Sequence, residues 1–278
     1  MLHTVVLARK FLRRQGQASR ASRESHRREF LRSLVAAYTR GSCLLNEGCP
    51  VDVEIWSDIA CPWCYIGKRR FEAALARFEH RDEVRVIWRS FELDPEAPRE
   101  RAGDRAVRLA EKYAITIERA REMEQQLTGV AASEGVEFRF DIARSGATFD
   151  AHRIIHLAGE HGLQDAMKER LLRAYFTEGE LLSDHQTLAR MAVEVGLAED
   201  EVSETLAGER YAEQVRDDEQ TASQLGIRAV PTFVIDRALG ASGAQPPDAL
   251  LDLLRQGWAN RSPVSVVTAG EACGIDGC

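Results

Sequence analysis

The stretch Val53-Glu54-Ile55-Trp56-Ser57-Asp58-Ile59-Ala60-Cys61-Pro62-Trp63-Cys64-Tyr65-Ile66-Gly67-Lys68 decides the fold. An apolar strand pattern runs into two cysteines two residues apart. An amphipathic helix comes at once, with Cys64, Phe71, Leu75 and Phe78 on one stripe. Cys61 therefore falls at a helix N-terminus, where free N–H groups and the helix dipole favour a thiolate. Pro62 suits the first helical turn, which has no use for its missing N–H. Cys64 falls on the inward stripe, within reach of a small disulfide ring. Strand, C-x-x-C and helix together describe a dithiol–disulfide exchange centre. A C-x-x-C taken alone is equally half of a zinc site.

A second signal lies far downstream, at Gly226-Ile227-Arg228-Ala229-Val230-Pro231-Thr232-Phe233-Val234-Ile235-Asp236. A proline directly ahead of an apolar strand loses a ladder bond and calls for a reason. A cis Val230–Pro231 bond supplies one, a tight turn without an N–H against which a disulfide packs. An ordinary trans proline opening a strand is the plainer alternative.

With both signals in place, the chain resembles the DsbA-like branch of the thioredoxin superfamily, and within it the FrnE-like oxidoreductases. The resemblance spans about Val51 to Trp258. It is carried by Glu54 to Lys68, Thr148-Phe149-Asp150-Ala151-His152-Arg153, Ala174-Tyr175-Phe176-Thr177-Glu178-Gly179 and Ser242-Gly243-Ala244-Gln245-Pro246. Thr232 and Ala147 depart from it, standing where an aromatic and an asparagine are expected. The resemblance implies an α/β protein, a thioredoxin-like fold split by an all-helical insertion. It implies that Cys61 attacks, Cys64 resolves, and Pro231 completes the catalytic set. It implies that Glu54, a carboxylate in an otherwise apolar strand, relays protons to Cys64; the alternative is an outward-facing side chain. It also implies that Val230 offers its backbone to a peptide substrate as a short strand pairing. Trp63 lines the groove beside it in this reading, as does Tyr65, unless either is core.

The 278 residues allow one large domain or two small ones, and no run approaches the length of a membrane span. The net charge of −7 is unevenly spread. Residues 1–50 hold ten Lys/Arg and three Asp/Glu, so the rest carries a balance of −14. An acidic body argues against nucleic acid as a partner. The six cysteines fall in three close pairs, Cys43/Cys49, Cys61/Cys64 and Cys273/Cys278.

Residues 1–50 read as a basic leader, disordered or an over-extended start, because proteins of the resembled family begin near Val51. His26-Arg27-Arg28-Glu29-Phe30-Leu31-Arg32 is similar to a twin-arginine export signal. The apolar run Leu34 to Tyr38 is shorter than the 7–15 residues such a signal needs, and Arg40 interrupts the chain just beyond it. A cytoplasmic protein is expected, with export as the alternative. The thioredoxin-like domain is placed at 51–98 and 208–260, the insertion at 99–207, and a flexible tail at 261–278. Strands are expected at Val51 to Ser57, Val84 to Phe91, Thr232 to Ile235 and Ala238 to Ser242. Helices are expected from Cys61 to about Glu79, near 105–134, 148–161, 163–178, 184–195 and 199–207, at Tyr211 to Leu225 and at Pro247 to Trp258.

The tail pair Cys273/Cys278 spans six residues with Gly274 and Gly277 inside, a spacing that closes a small ring. An extended tail from Trp258 reaches roughly 45–50 Å, far enough to return to Cys61. Some FrnE-like proteins carry a similar pair, so an auxiliary redox role is expected; a structural clip and a zinc site shared with Cys61 and Cys64 are the alternatives. His152 and His156 stand four apart, a zinc-compatible spacing, but Arg153 sits directly after His152 where H-E-x-x-H needs an acid. They read as structural or cleft-lining. Lys68, Arg69 and Arg70 read as a solvated basic face. The function expected is thiol–disulfide oxidoreduction or isomerisation on protein or peptide thiols and disulfides. A low-molecular-weight thiol or reductase is a possible electron partner, no cofactor or metal is needed, and neither nucleic acid nor membrane is a partner. The rivals are a glutathione-dependent isomerase or transferase of the 2-hydroxychromene-2-carboxylate isomerase (kappa-type) branch and a zinc-binding structural module. The kappa-type enzymes generally carry a serine-type residue at the Cys61 position.

Overall fold

The computed structural model describes residues 50–261. Four strands form one sheet: β1 (Val51–Ser57), β2 (Val84–Ser90), β3 (Thr232–Ile235) and β4 (Leu239–Ser242), in the order β2-β1-β3-β4. β1 runs parallel to β2, in register from Val51 against Val84 to Ser57 against Ser90. It runs antiparallel to β3, which in turn runs antiparallel to β4. The parallel pair needs a crossover, supplied by α1 (Pro62–Ala76). β1 is central and buried almost throughout, which is why it reads as an unbroken apolar run apart from Asp52 and Glu54.

Between β2 and β3 the described chain is helical: α2 (Arg105–Tyr113), α3 (Ile117–Ser133), α4 (Phe149–Glu160), α5 (Gln164–Arg173), α6 (His185–Val195), α7 (Glu199–Ala207) and α8 (Ala212–Gln224). After β4 comes α9 (Pro247–Ala259), which packs along α1. This is an α/β fold of thioredoxin type carrying a helical insertion. One continuous core joins the sheet to the insertion, from Val53, Ile55 and Phe233 to Ile154, Leu171 and Phe176.

Two expected helices are divided. The 105–134 segment breaks where Ala114 turns left-handed (φ 52°) to close α2, and Thr116 caps the N-terminus of α3 by accepting the Arg119 N–H. The 163–178 segment leaves α-geometry after Arg173. Ala174–Glu178 forms a wider π turn that ends on Gly179 at φ 70°.

Candidate active site

Cys61 is the N-cap of α1 and has extended backbone (φ −89°, ψ 113°); its side chain makes no capping hydrogen bond. Pro62 opens the helix, and the Cys64 N–H donates to the Cys61 carbonyl at 3.0 Å. Both cysteines are free thiols, 5% and 1% exposed. They share a small cluster with Trp56, Ala222, Val230 and Val234. The Cys61 thiol donates to the Val230 carbonyl at 3.6 Å, and the Val230–Pro231 bond is cis. The helix meets this turn at Gly67, where a Cβ would lie 2.7 Å from Pro231 Cγ. Glycine is what lets α1 come this close. Trp63, between the cysteines, is 44% exposed.

Charged groups surround the sulfurs on the protein side. Asp58, 2% exposed, accepts the N–H groups of Ala60 (3.2 Å) and Leu93 (2.8 Å). His152 Nε2 lies 3.6 Å from it, longer than a hydrogen bond. Burial raises the Asp58 carboxyl, but the His152 ring and the two backbone donors reverse this and hold it below its ordinary range. Burial pushes the His152 ring below its ordinary value, against the pull of Asp58. Lys168 reaches in from α5 and donates to the Ser57 carbonyl at 3.0 Å. Burial brings its ammonium down to about 8, although the two cysteines and Asp58 pull the other way.

The cysteines titrate as a pair, and the charge settles on Cys64. Burial opposes a Cys64 thiolate, but the Cys61 S–H, the Lys168 ammonium and the Ser57 hydroxyl outweigh it. The S–H shared with Cys64, and then burial, hold Cys61 well above the usual thiol range. In the dithiol the neighbouring Cys64 and burial therefore oppose what the helix terminus offers Cys61. One proton is shared between the two sulfurs.

Among the other sequence-predicted residues, Val230 is 8% exposed and sits at the sulfurs, whereas Tyr65 is core, its hydroxyl donating to Glu169 at 2.8 Å. Glu54 is buried, not outward-facing. Its carboxylate accepts from Arg89 (2.6 and 2.8 Å) and Arg237 (2.8 and 3.0 Å). Burial would raise it, but the two guanidiniums hold it down, so it keeps its negative charge. The acid whose charge reaches the sulfurs is Asp58. Lys68 to Arg70 is no solvated face: Lys68 is 2% exposed and tied to Glu72, Asp165 and Glu169. His156 lies within 3.1 Å of both Ser90 Oγ and Asp218 Oδ2. Cys43, Cys49, Cys273 and Cys278 lie outside the described residues.

Lys168 was missed by sequence reasoning, yet a signal existed. Residues 168, 171, 172 and 175 share the i, i+3, i+4, i+7 spacing of one helix face, and the other three are buried apolar residues. Among the described residues, no group of three His, Cys, Asp or Glu is placed to hold a metal. A cavity of about 540 Å³ lies against Arg99, Asp150, Asp184 and His185. These four are paired among themselves, His185 with Asp150 at 2.8 Å and Arg99 with Asp184 at 3.2 Å.

Residues 52–255 match the family described as DSBA-like thioredoxin domain. A probable DsbA oxidoreductase from Streptomyces coelicolor is 46% identical, with a TM-score of 0.74 over 82% of this chain and 98% of that one. The uncharacterized protein YwbO of Bacillus subtilis is 28% identical over 197 residues, 69% of this chain and 92% of that protein. A 2-hydroxychromene-2-carboxylate isomerase shares the fold at 12% identity, with a TM-score of 0.54 over 75% of this chain and 95% of that one.

Proposed function

This chain belongs to the DsbA-like thioredoxin family, and from that premise we propose that it is a thiol–disulfide oxidoreductase acting on protein or peptide disulfides through Cys61 and Cys64. The observation that carries the reading is the pairing of two buried thiols at the start of α1 with the Val230 carbonyl. Cys61 is the more exposed of the two and lies against a backbone that an extended peptide can pair with. Cys61 is therefore the sulfur a substrate meets. Moving the shared proton to Cys64 frees the Cys61 thiolate. It attacks one sulfur of the substrate disulfide, the substrate S–S bond breaks, and a substrate thiolate leaves. Cys64 then attacks the Cys61 sulfur, closes the intramolecular disulfide and expels the second substrate sulfur. The reverse sequence oxidises a dithiol. A small thiol or a reductase returns the pair to its starting state. Trp63 supplies an exposed apolar surface beside Cys61 for substrate contact.

The test is insulin-disulfide reduction with single substitutions. Cys61→Ser abolishes turnover, and Cys64→Ser leaves mixed disulfides trapped on Cys61, visible by mass spectrometry. Normal turnover by Cys61→Ser sinks the assignment. A serine at position 61 that instead gave glutathione-dependent isomerisation would move the protein to the kappa-type reading.

A further inference from the structure

Lys168 comes from α5, in the helical insertion, and is 1% exposed. Its one hydrogen bond among the described residues goes to the Ser57 carbonyl, an uncharged acceptor. Its ammonium also lies 5.5 Å from the centroid of the Trp88 ring on β2. A buried ammonium with no ion pair is costly and needs a counter-charge or a means of losing its proton. The groups acting on it are Asp58, ahead of α1; Cys61, its N-cap; Cys64 and Lys68, on α1; and His152, on α4, which feels its charge. Asp58 is engaged by Ala60 and Leu93, and Lys68 repels. The buried Ser57 hydroxyl faces Cys64 and brings no charge of its own. That leaves the thiolate of the cysteine pair, whose other donors, the Cys61 S–H and the Ser57 hydroxyl, are neutral.

We infer that Lys168 is the counter-charge of the Cys64 thiolate, an ammonium while the pair is a dithiol and an amine once the Cys61–Cys64 disulfide has closed. The inference rests on the exchange reading above. In the mixed disulfide, Cys64 has passed the once-shared proton to the first departing substrate thiolate and is itself a thiolate beside the Lys168 ammonium. The Cys64–Cys61 bond forms, the Cys61–substrate bond breaks, and the electron pair leaves on the substrate sulfur. With its thiolate gone, Lys168 releases a proton, and that proton neutralises the departing thiolate. Electrons and protons balance without another reactant, and reduction of the disulfide runs the same steps backwards. The Ser57 carbonyl accepts an N–H in either protonation state, so the side chain keeps its place throughout. Lys168 is thus a positioning residue, acting on the reaction through the charge it presents to Cys64.

The test titrates Cys64 directly. In full-length protein with Cys61, Cys43, Cys49, Cys273 and Cys278 replaced by serine, thiolate absorbance is measured against pH. Adding Lys168→Met raises the Cys64 midpoint by at least one pH unit, a tenfold loss of thiolate at a given pH below it. Lys168→Arg restores most of that shift, which a packing role does not predict. An unmoved midpoint in folded Lys168→Met overturns the proposal, as does an arginine variant that titrates like the methionine one. Should Lys168→Met not fold, the wild-type protein decides. The NMR signal of the Lys168 ε-methylene titrates at least one pH unit lower in the disulfide than in the dithiol; equal midpoints refute the inference. Neither measurement involves turnover, so a negative result here leaves the insulin assay to judge the exchange reading separately.

Discussion

Two lysines, Lys68 and Lys168, are 2% and 1% exposed, and they solve the problem of a buried charge in opposite ways. Lys68, on α1, is held by Glu72, Asp165 and Glu169, and its ammonium is raised even though burial pulls it down. Lys168, beside the cysteines, has a peptide carbonyl and an aromatic face, and burial brings it down to about 8. The same contrast separates two acids. Glu54 is clamped by two guanidiniums. Glu92, in the loop after β2, is raised to about 7, because burial and nearby Glu219 outweigh Arg216. Charges away from the sulfurs are matched and static. Lys168 and Glu92 are under-compensated and titrate near neutrality, where a proton moves at little cost.

The largest break in this contrast comes at Glu54. Glu54→Gln leaves Arg89 and Arg237 facing a neutral amide and costs about 2–3 kcal/mol in chemical denaturation. The pH profile of thiol exchange stays where it was, since the carboxylate is locked in its ion pairs. A shifted profile would restore Glu54 as the proton relay. Lys68→Met comes next, at about 2 kcal/mol, because the carboxylates it abandons are 29–60% exposed and are partly rehydrated. The same change at Lys168 removes a charge that no carboxylate holds and alters stability by less than about 1 kcal/mol. Equal losses at the two positions would erase the distinction.

The effect at Glu92 carries a definite sign. Its folded value of about 7 lies above the ordinary 4.5. Between those two pH values the native carboxyl keeps a proton that the unfolded chain has lost. Stability therefore falls as pH rises through this window, and the full cost is present above pH 7. Glu92→Gln stabilises the protein by about 1–2 kcal/mol at pH 8, and the gain disappears near pH 4.5. Thermal melts of both proteins at the two pH values check this.

The sheet was legible because each strand is short, apolar and bounded by turn residues. Val84 to Ser90 and Thr232 to Ile235 emerged within a residue of the sequence reading. The cysteine-bearing helix was legible because strand, C-x-x-C and apolar stripe agree. The break at Ala114 was not, since alanine rarely takes a left-handed conformation and carries no turn signal. The charges at the site were the least legible part. Lysine on a helix reads as solvated, and whether it is buried depends on what another part of the chain lays over it. Lys68 stands four residues after Cys64 and three before Phe71, so both buried lysines lie on apolar stripes that hydropathy alone assigns to water. Asp58 was hidden for a similar reason. A carboxylate just before a helix looks like turn chemistry, and its partner His152 lies 94 residues away in sequence.

The site is assembled from pieces that leave the ribosome at very different times. Cys61 and Cys64 emerge early, Lys168 about a hundred residues later, and Val230–Pro231 later still. At about 5–20 residues per second, the two thiols precede the turn that covers them by roughly 8–35 s. For about the first hundred residues of that interval the Lys168 ammonium is missing, and until its end so is the Val230 carbonyl; the cysteines are then ordinary thiols on an unfinished chain. Their distinctive chemistry is a property of the completed molecule, switched on only when β3 closes against β1.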